Sequence, residues 1–128
     1  MKRAVIKIKN LSLRTIIGIN DWEREKKQDV IINATIEFDA TKAIERDKIN
    51  NSLNYKSITK KVISEVENSS FHLLEKLADF ILNSIMEDKN VLSATVEVDK
   101  PHSLRFAESV SVVVSDSRDN PRGYPNKG

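Results

Sequence analysis

The most constraining feature of this 128-residue chain is a run of five apolar side chains spaced by two: Val30, Ile32, Ala34, Ile36 and Phe38. A period of two puts all five on one face of an extended strand, which no helix does. One apolar face requires a layer to cover it.

The flanking pattern supplies neighbours and cover. Val5, Ile6, Ile8, Leu11, Leu13, Ile16, Ile17 and Ile19 form a β-rich opening, with Lys and Arg interleaved in its first half and Gly18 able to supply a bend or bulge. The charged connection from Asn20 to Lys27 joins this first strand to the second as a hairpin. Later, Leu92, Ala94, Val96 and Val98 alternate with polar neighbours, and Val110, Val112 and Val114 repeat the pattern beyond a connection from Pro101 to Arg105, predicting a second hairpin. Between the hairpins, residues 40–54 read as irregular and polar, with Asn50, Asn51, Ser52 and Asn54 as turn and cap candidates. Tyr55, Ile58, Val62 and Val66 then recur at helical spacing until Asn68-Ser69-Ser70 ends the pattern. Leu74, Leu77, Ala78, Ile81, Leu82, Ile85 and Met86 trace the stripe of a second, sheet-covering helix.

The predicted architecture is α+β: an antiparallel four-stranded sheet in the order ββααββ, with both helices on one face. Its Ile/Val-rich outer strands have unprotected edges, and closing several copies into a ring would remove them, a physical motive for a homo-oligomer. Residues 1–115 form the single expected domain. From Asp116 to Gly128 the chain holds two of its three prolines and two of its three glycines with almost no apolar content, which predicts a mobile, chemically silent tail.

Several function classes drop out on composition. Basic and acidic residues number 21 and 19 and are interspersed, so there is no platform for nucleic acid. The absence of cysteine excludes thiolate metal sites and Cys nucleophiles, while His72 and His102 lack the spacing of metal ligands. Met1-Lys2-Arg3 leads into an alternating strand rather than an apolar leader, and no apolar run is long enough to span a membrane, so the expected location is cytoplasmic.

The residues that could carry chemistry each have a plain alternative. Glu75 falls in the first turn of the second helix, where a carboxylate is favoured by the macrodipole whatever else it does. Lys100 ends a strand and reads as solvated, although partial burial would make it a usable general acid or base. Tyr55, on the apolar side of the first helix, reads as a core residue with a satisfied hydroxyl. Glu23, inside a charge run, reads as solvated loop.

Four segments in order point further: Ile8 to Ile19, Leu53-Asn54-Tyr55, Leu73-Leu74-Glu75-Lys76-Leu77 and Val98-Asp99-Lys100-Pro101-His102. In sequence and spacing they resemble the dihydroneopterin aldolase and epimerase family over about residues 4–115. The run Asp99 to Ser111 and the segments Leu11 to Thr15 and Leu53 to Lys60 resemble the epimerase branch, whereas Asp21-Trp22-Glu23 looks more like the aldolase branch. The resemblance implies the tunnelling fold (T-fold), in which subunits close their sheets into a barrel and two tetrameric rings stack into an octamer with pterin pockets at subunit interfaces. It implies retro-aldol chemistry that uses the dihydropterin's own C=N bond as electron sink, with no cofactor and no metal. In one outcome the aldehyde re-adds and inverts the 2' carbon of dihydroneopterin triphosphate; in the alternative, glycolaldehyde leaves dihydroneopterin. Carried over residue by residue, Glu75 with the backbone of Leu73 and Leu74 anchors the pterin edge, Lys100 and Glu23 handle the hydroxyl proton, and Tyr55 arrives across the interface to orient the ring and relay a proton. His102 and Arg105, just beyond Lys100, are the expected phosphate ligands, while Lys60 and Lys61 are expected to solubilise an exposed helix face.

Overall fold

The period-two run becomes the centre of the sheet. In the computed structural model, which describes residues 1–118, strand β1 (Arg3–Ile17) and strand β2 (Gln28–Asp39) form the expected antiparallel hairpin. A six-residue helix α1 (Thr41–Arg46) follows, then α2 (Tyr55–Glu67), a two-residue strand β3 (Ser70–Phe71), α3 (Leu74–Met86), and the second hairpin of β4 (Val91–Pro101) and β5 (Ser109–Ser117). The sheet order is β3-β1-β2-β4-β5. β2 is thus flanked on both sides, with Ile32 opposite Val98, Ala34 opposite Val96 and Ile36 opposite Ala94.

Val30, Ile32, Ala34, Ile36 and Phe38 are all buried, together with Val91, Ala94, Val96 and Val98 of β4. Ile58, Val62 and Val66 of α2 and Leu77, Ala78, Ile81, Leu82 and Ile85 of α3 close the same core. The helices begin where the sequence says they should. Asn54 caps α2 by accepting the Ser57 N–H at 3.1 Å, and the Asn68 to Ser70 break leads directly into β3.

Three expectations need correction. The sheet has five strands rather than four, because Ser70–Phe71 adds a short parallel pairing to Ile16–Ile17; two residues are too few to leave a periodic signal. The stretch from 40 to 54 is not wholly irregular, since it holds α1 and a 3₁₀ turn at Ile49–Asn51. Helix α1 buries no residue, and Ile44 stays 59% exposed, so no apolar stripe announced it. The tail does not start at Asp116 either: β5 continues through Ser117, and the Arg118 guanidinium donates to the carbonyls of Val91, Met86 and Asp88. The remainder of the expected tail lies outside the described residues.

The edges are open as expected. Among the described residues, beyond β3, β1 pairs only with β2, and β5 pairs only with β4. Among the described residues no helix is long and apolar enough to cross a membrane.

Candidate active site

At the end of the sheet where β1 stops and β2 starts, the chain turns through a single 3₁₀ turn, Asp21–Arg24. This turn carries Glu23 inward. Its relative exposure is 5%, so the solvated-loop reading of the charge run fails for this one residue. The carboxylate is saturated. One oxygen accepts the Asn20 N–H at 3.2 Å and the Asn20 side-chain amide at 2.8 Å; the other accepts the Gln28 amide at 3.2 Å and the Lys100 ammonium at 2.5 Å. Two bonds per oxygen fill the acceptor capacity of a carboxylate. The Lys100 bond is the largest cause, and the Gln28 and Asn20 donors add to it, so Glu23 is held down from its ordinary 4.5 to about 2 despite the opposing cost of burial.

Lys100 lies near the end of β4, opposite Val110 of β5 and one residue beyond Asp99, which pairs with Ile31 of β2. Its side chain is only 15% exposed, against the solvated expectation. One of its three donors goes to Glu23, leaving the others for a ligand. Gly18 makes room for this pair. Its φ is +134°, and a Cβ built there would lie 2.2 Å from the Glu23 carboxyl carbon and 2.4 Å from both oxygens.

β3 brings the second group of expected residues to the same end of the sheet. Phe71 pairs with Ile17, its carbonyl accepts the Gly18 N–H at 3.3 Å, and two residues later Leu73 is the N-cap of α3. Leu73 is 52% exposed, Glu75 is exposed in the first helical turn, and Leu74 is half-buried. Nearby in sequence to the pair, Ile19 and Trp22 are also largely exposed, so apolar surface flanks the polar centre.

Tyr55 stands apart from the pair in a single chain. Tyr55 is 49% exposed at the start of α2, not the core residue its phase suggested. The far end of that helix is the one near the Glu23 turn, because the Val66 carbonyl accepts the buried Thr15 hydroxyl at 2.7 Å. Eleven residues of helix separate Tyr55 from Val66, roughly 16 Å. Leu53, just before Tyr55, lines a cavity of about 710 Å³ with Met1, Phe38 and Leu92, at the opposite end of β2 from Gln28. Ten strand residues span roughly 33 Å. None of the expected site residues lines that cavity.

His102 and Arg105 sit in the β4–β5 connection, which is exposed throughout from 102 to 108. His102 adopts φ +62°, its N–H donates to the Glu108 carbonyl at 3.4 Å, and the Ser103 hydroxyl donates to the Lys100 carbonyl at 3.0 Å. The Arg105 guanidinium lies 5.4 Å from the centre of the Phe106 ring. Lys61 is not a free solubilising charge, because it bridges α2 to α3 through Glu87 at 3.0 Å and the Ser84 carbonyl. Among the described residues no group of three His, Asp or Glu side chains is placed to hold a metal ion.

Sequence reasoning missed Asn20, Arg24 and Gln28. Gln28 alone left a signal: it shares the phase of Val30 and Ile32, and a polar side chain on a buried phase needs a partner.

The mixed sheet, covered by α2 and α3, carries a buried amine–carboxylate pair at the same sheet end as the exposed start of α3. Residues 6–115 match the family model FolB, dihydroneopterin aldolase, and the chain belongs to that family. It is 50% identical over 115 residues to the dihydroneopterin triphosphate 2'-epimerase of Pseudomonas aeruginosa, covering 90% of this chain and 94% of that one. The Escherichia coli K12 protein of the same name is 49% identical, with 90% and 96% covered. Among solved structures, E. coli dihydroneopterin aldolase in complex with neopterin superposes with a TM-score of 0.84 at 27% identity, covering 89% of this chain and 99% of that one.

Proposed function

We propose that the protein is a dihydroneopterin triphosphate 2'-epimerase acting in the cytoplasm as a homo-oligomer. The observation that carries the reading is the buried Lys100–Glu23 pair placed at the same sheet end as Leu73, Leu74 and Glu75. Identity near 50% to two epimerases, against 27% to an aldolase, favours the epimerase outcome.

In this reading Glu75 accepts the amino and ring N–H groups of the pterin, with the Leu73 and Leu74 backbone completing the edge. Lys100 is the group that handles the proton of the side-chain hydroxyl beside the bond to be broken. Glu23 is a poor base at about 2, with every acceptor position used, so its part is to orient the Lys100 nitrogen. The carbon–carbon bond breaks as the alkoxide becomes an aldehyde, and its electrons enter the C=N bond of the dihydropterin. The aldehyde re-adds through its other face, and Lys100 returns the proton to the new alkoxide. No metal or cofactor enters, because the ring itself accepts the electrons.

Tyr55 completes the site only from another copy of the chain. Its separation from Lys100 across the subunit supports a head-to-tail assembly in which the Tyr55 end of one copy meets the Lys100 end of the next. Open edges on β1 and β5 suit the same arrangement, a barrel of four copies stacked into an octamer. Arg105 and His102 hold the triphosphate, keeping the cleaved aldehyde in place long enough to turn and re-add.

The second reading is a biosynthetic aldolase, favoured by Asp21-Trp22-Glu23. Incubation with dihydroneopterin triphosphate and, separately, dihydroneopterin, followed by chromatography of the pterins, decides between them. The epimer of the triphosphate should form with higher catalytic efficiency than glycolaldehyde from the free pterin, and R105A should raise the ratio of cleavage product to epimer. The reverse order of efficiencies makes the aldolase reading correct.

A further inference from the structure

Arg24 occupies the same 3₁₀ turn as Glu23 but points the other way in its bonding. One terminal nitrogen donates to the Gly18 carbonyl at 3.1 Å and the Phe71 carbonyl at 2.8 Å, and the other donates to the Ser70 carbonyl at 2.5 Å. All three acceptors are backbone, on two different segments. No carboxylate among the described residues lies within ion-pairing distance, so the guanidinium is used as a planar fork rather than as half of a salt bridge.

What the fork joins is specific. On one side is Gly18, whose backbone makes the space for the Glu23 carboxylate. On the other is Ser70–Phe71, and the Phe71 ring packs on Phe80 of α3 with centroids 5.0 Å apart. Phe71 therefore receives Arg24 through its carbonyl and holds α3 through its ring. The parallel pairing of β3 with β1 is only two residues long and brings few hydrogen bonds of its own. Three charge-assisted bonds are a large share of what holds that junction.

We propose that Arg24 is a positioning residue that sets the spacing between the Lys100–Glu23 pair and the pterin-anchoring start of α3. This rests on the reading of Glu75 as the pterin anchor. A strut with that role transmits through Glu75: when the Glu75 carboxylate is gone, misplacing the start of α3 has little left to weaken. A residue that merely stabilises the fold acts independently of Glu75, and its effect multiplies with that of any other substitution.

The test is a double-mutant cycle on binding of neopterin, an oxidised pterin whose aromatic ring is a poor acceptor for the electrons of the bond to be broken, followed by its fluorescence. R24M should weaken neopterin binding about tenfold and E75Q about ten- to a hundredfold, the loss expected for charge-assisted bonds. The double variant should bind within about threefold of E75Q alone. R24K should not rescue, since a point charge cannot reach three carbonyls on two segments. Should R24M fail to assemble, R24Q carries the same cycle. Full multiplication of the two effects, with E75Q itself weak, overturns the proposal and leaves the anchoring reading standing. E75Q binding neopterin like the parent overturns the anchoring reading, and the proposal with it.

Discussion

Gly18→Ala is the smallest change that should dismantle the Lys100–Glu23 pair without touching either member. The added Cβ would sit 2.2 Å from the Glu23 carboxyl carbon, far inside contact distance, so something must move. A side-chain carboxylate is ordinarily free to swing away. This one cannot do so cheaply, because Asn20, Gln28 and Lys100 occupy its acceptor positions. Displacing it separates a buried ion pair, which costs about 3–5 kcal/mol. A side chain at φ +134° adds about 1–3 kcal/mol of backbone strain. Even the lower sum, about 4 kcal/mol, is a large share of the roughly 5–15 kcal/mol that stabilises a domain.

The two costs separate experimentally. Thermal unfolding should show Gly18→Ala lowering Tm by about 10–20 °C, and turnover should fall by about 10²–10⁴-fold as Lys100 loses its orientation. In a Glu23→Ala background the collision is gone and only the strain remains, so the same Gly18 substitution should cost about 1–3 kcal/mol. An equal Tm loss in both backgrounds would refute the account of Gly18 as the cradle of Glu23. So would a Gly18→Ala protein with Tm within 2 °C of the parent.

Two further outcomes follow from the same geometry. Glu23 has a depressed carboxyl, so its contribution is fully present above its ordinary 4.5 and is lost as pH falls through that value toward about 2. Tm followed from pH 5 to pH 2 should therefore fall more steeply in the parent than in Glu23→Gln. Asp39, held low by the Thr41 hydroxyl and N–H, titrates alike in both proteins and drops out of the difference. Parallel curves would show that the pair is not coupled to folding. Separately, Tyr55→Phe and Lys100→Ala should each be nearly inactive, and co-refolded in equal amounts they should recover roughly a quarter of the parent rate, because one site in four then draws both intact residues. A mixture no faster than its parts would place Tyr55 and Lys100 in one subunit.

The secondary structure was legible wherever burial and periodicity coincide. The even-numbered face of β2 and the stripes of α2 and α3 are long, one-sided and apolar, so their periods survive any local context. β3 and α1 were illegible for the opposite reason: one is two residues long, and the other buries nothing. Within the site, Glu23, Lys100 and Glu75 entered through resemblance to a family and not through physics. Taken alone, the charge run around Glu23 looks solvated, and only the structure shows one member of it 95% buried while Asp21, Glu25, Lys26 and Lys27 stay exposed. Nothing in a one-dimensional pattern distinguishes Glu23 from Glu25. The distinction is made by a 3₁₀ turn whose direction depends on Gly18, Asn20 and Gln28.

That dependence explains why so much of the site is built from backbone and from neutral amides. A lysine and a glutamate alone would pair in many geometries, and an exposed pair is worth little. Here the glutamate is held by donors on both of its oxygens before the lysine arrives, so the only direction left to the Lys100 nitrogen is the one the strand gives it. Proton transfer needs that nitrogen placed to within a fraction of an ångström of a substrate hydroxyl. Asn20 and Gln28 do not touch the substrate in this reading, yet the placement is theirs. Their removal should therefore show first in turnover, and much less in affinity for the pterin ring held by Glu75.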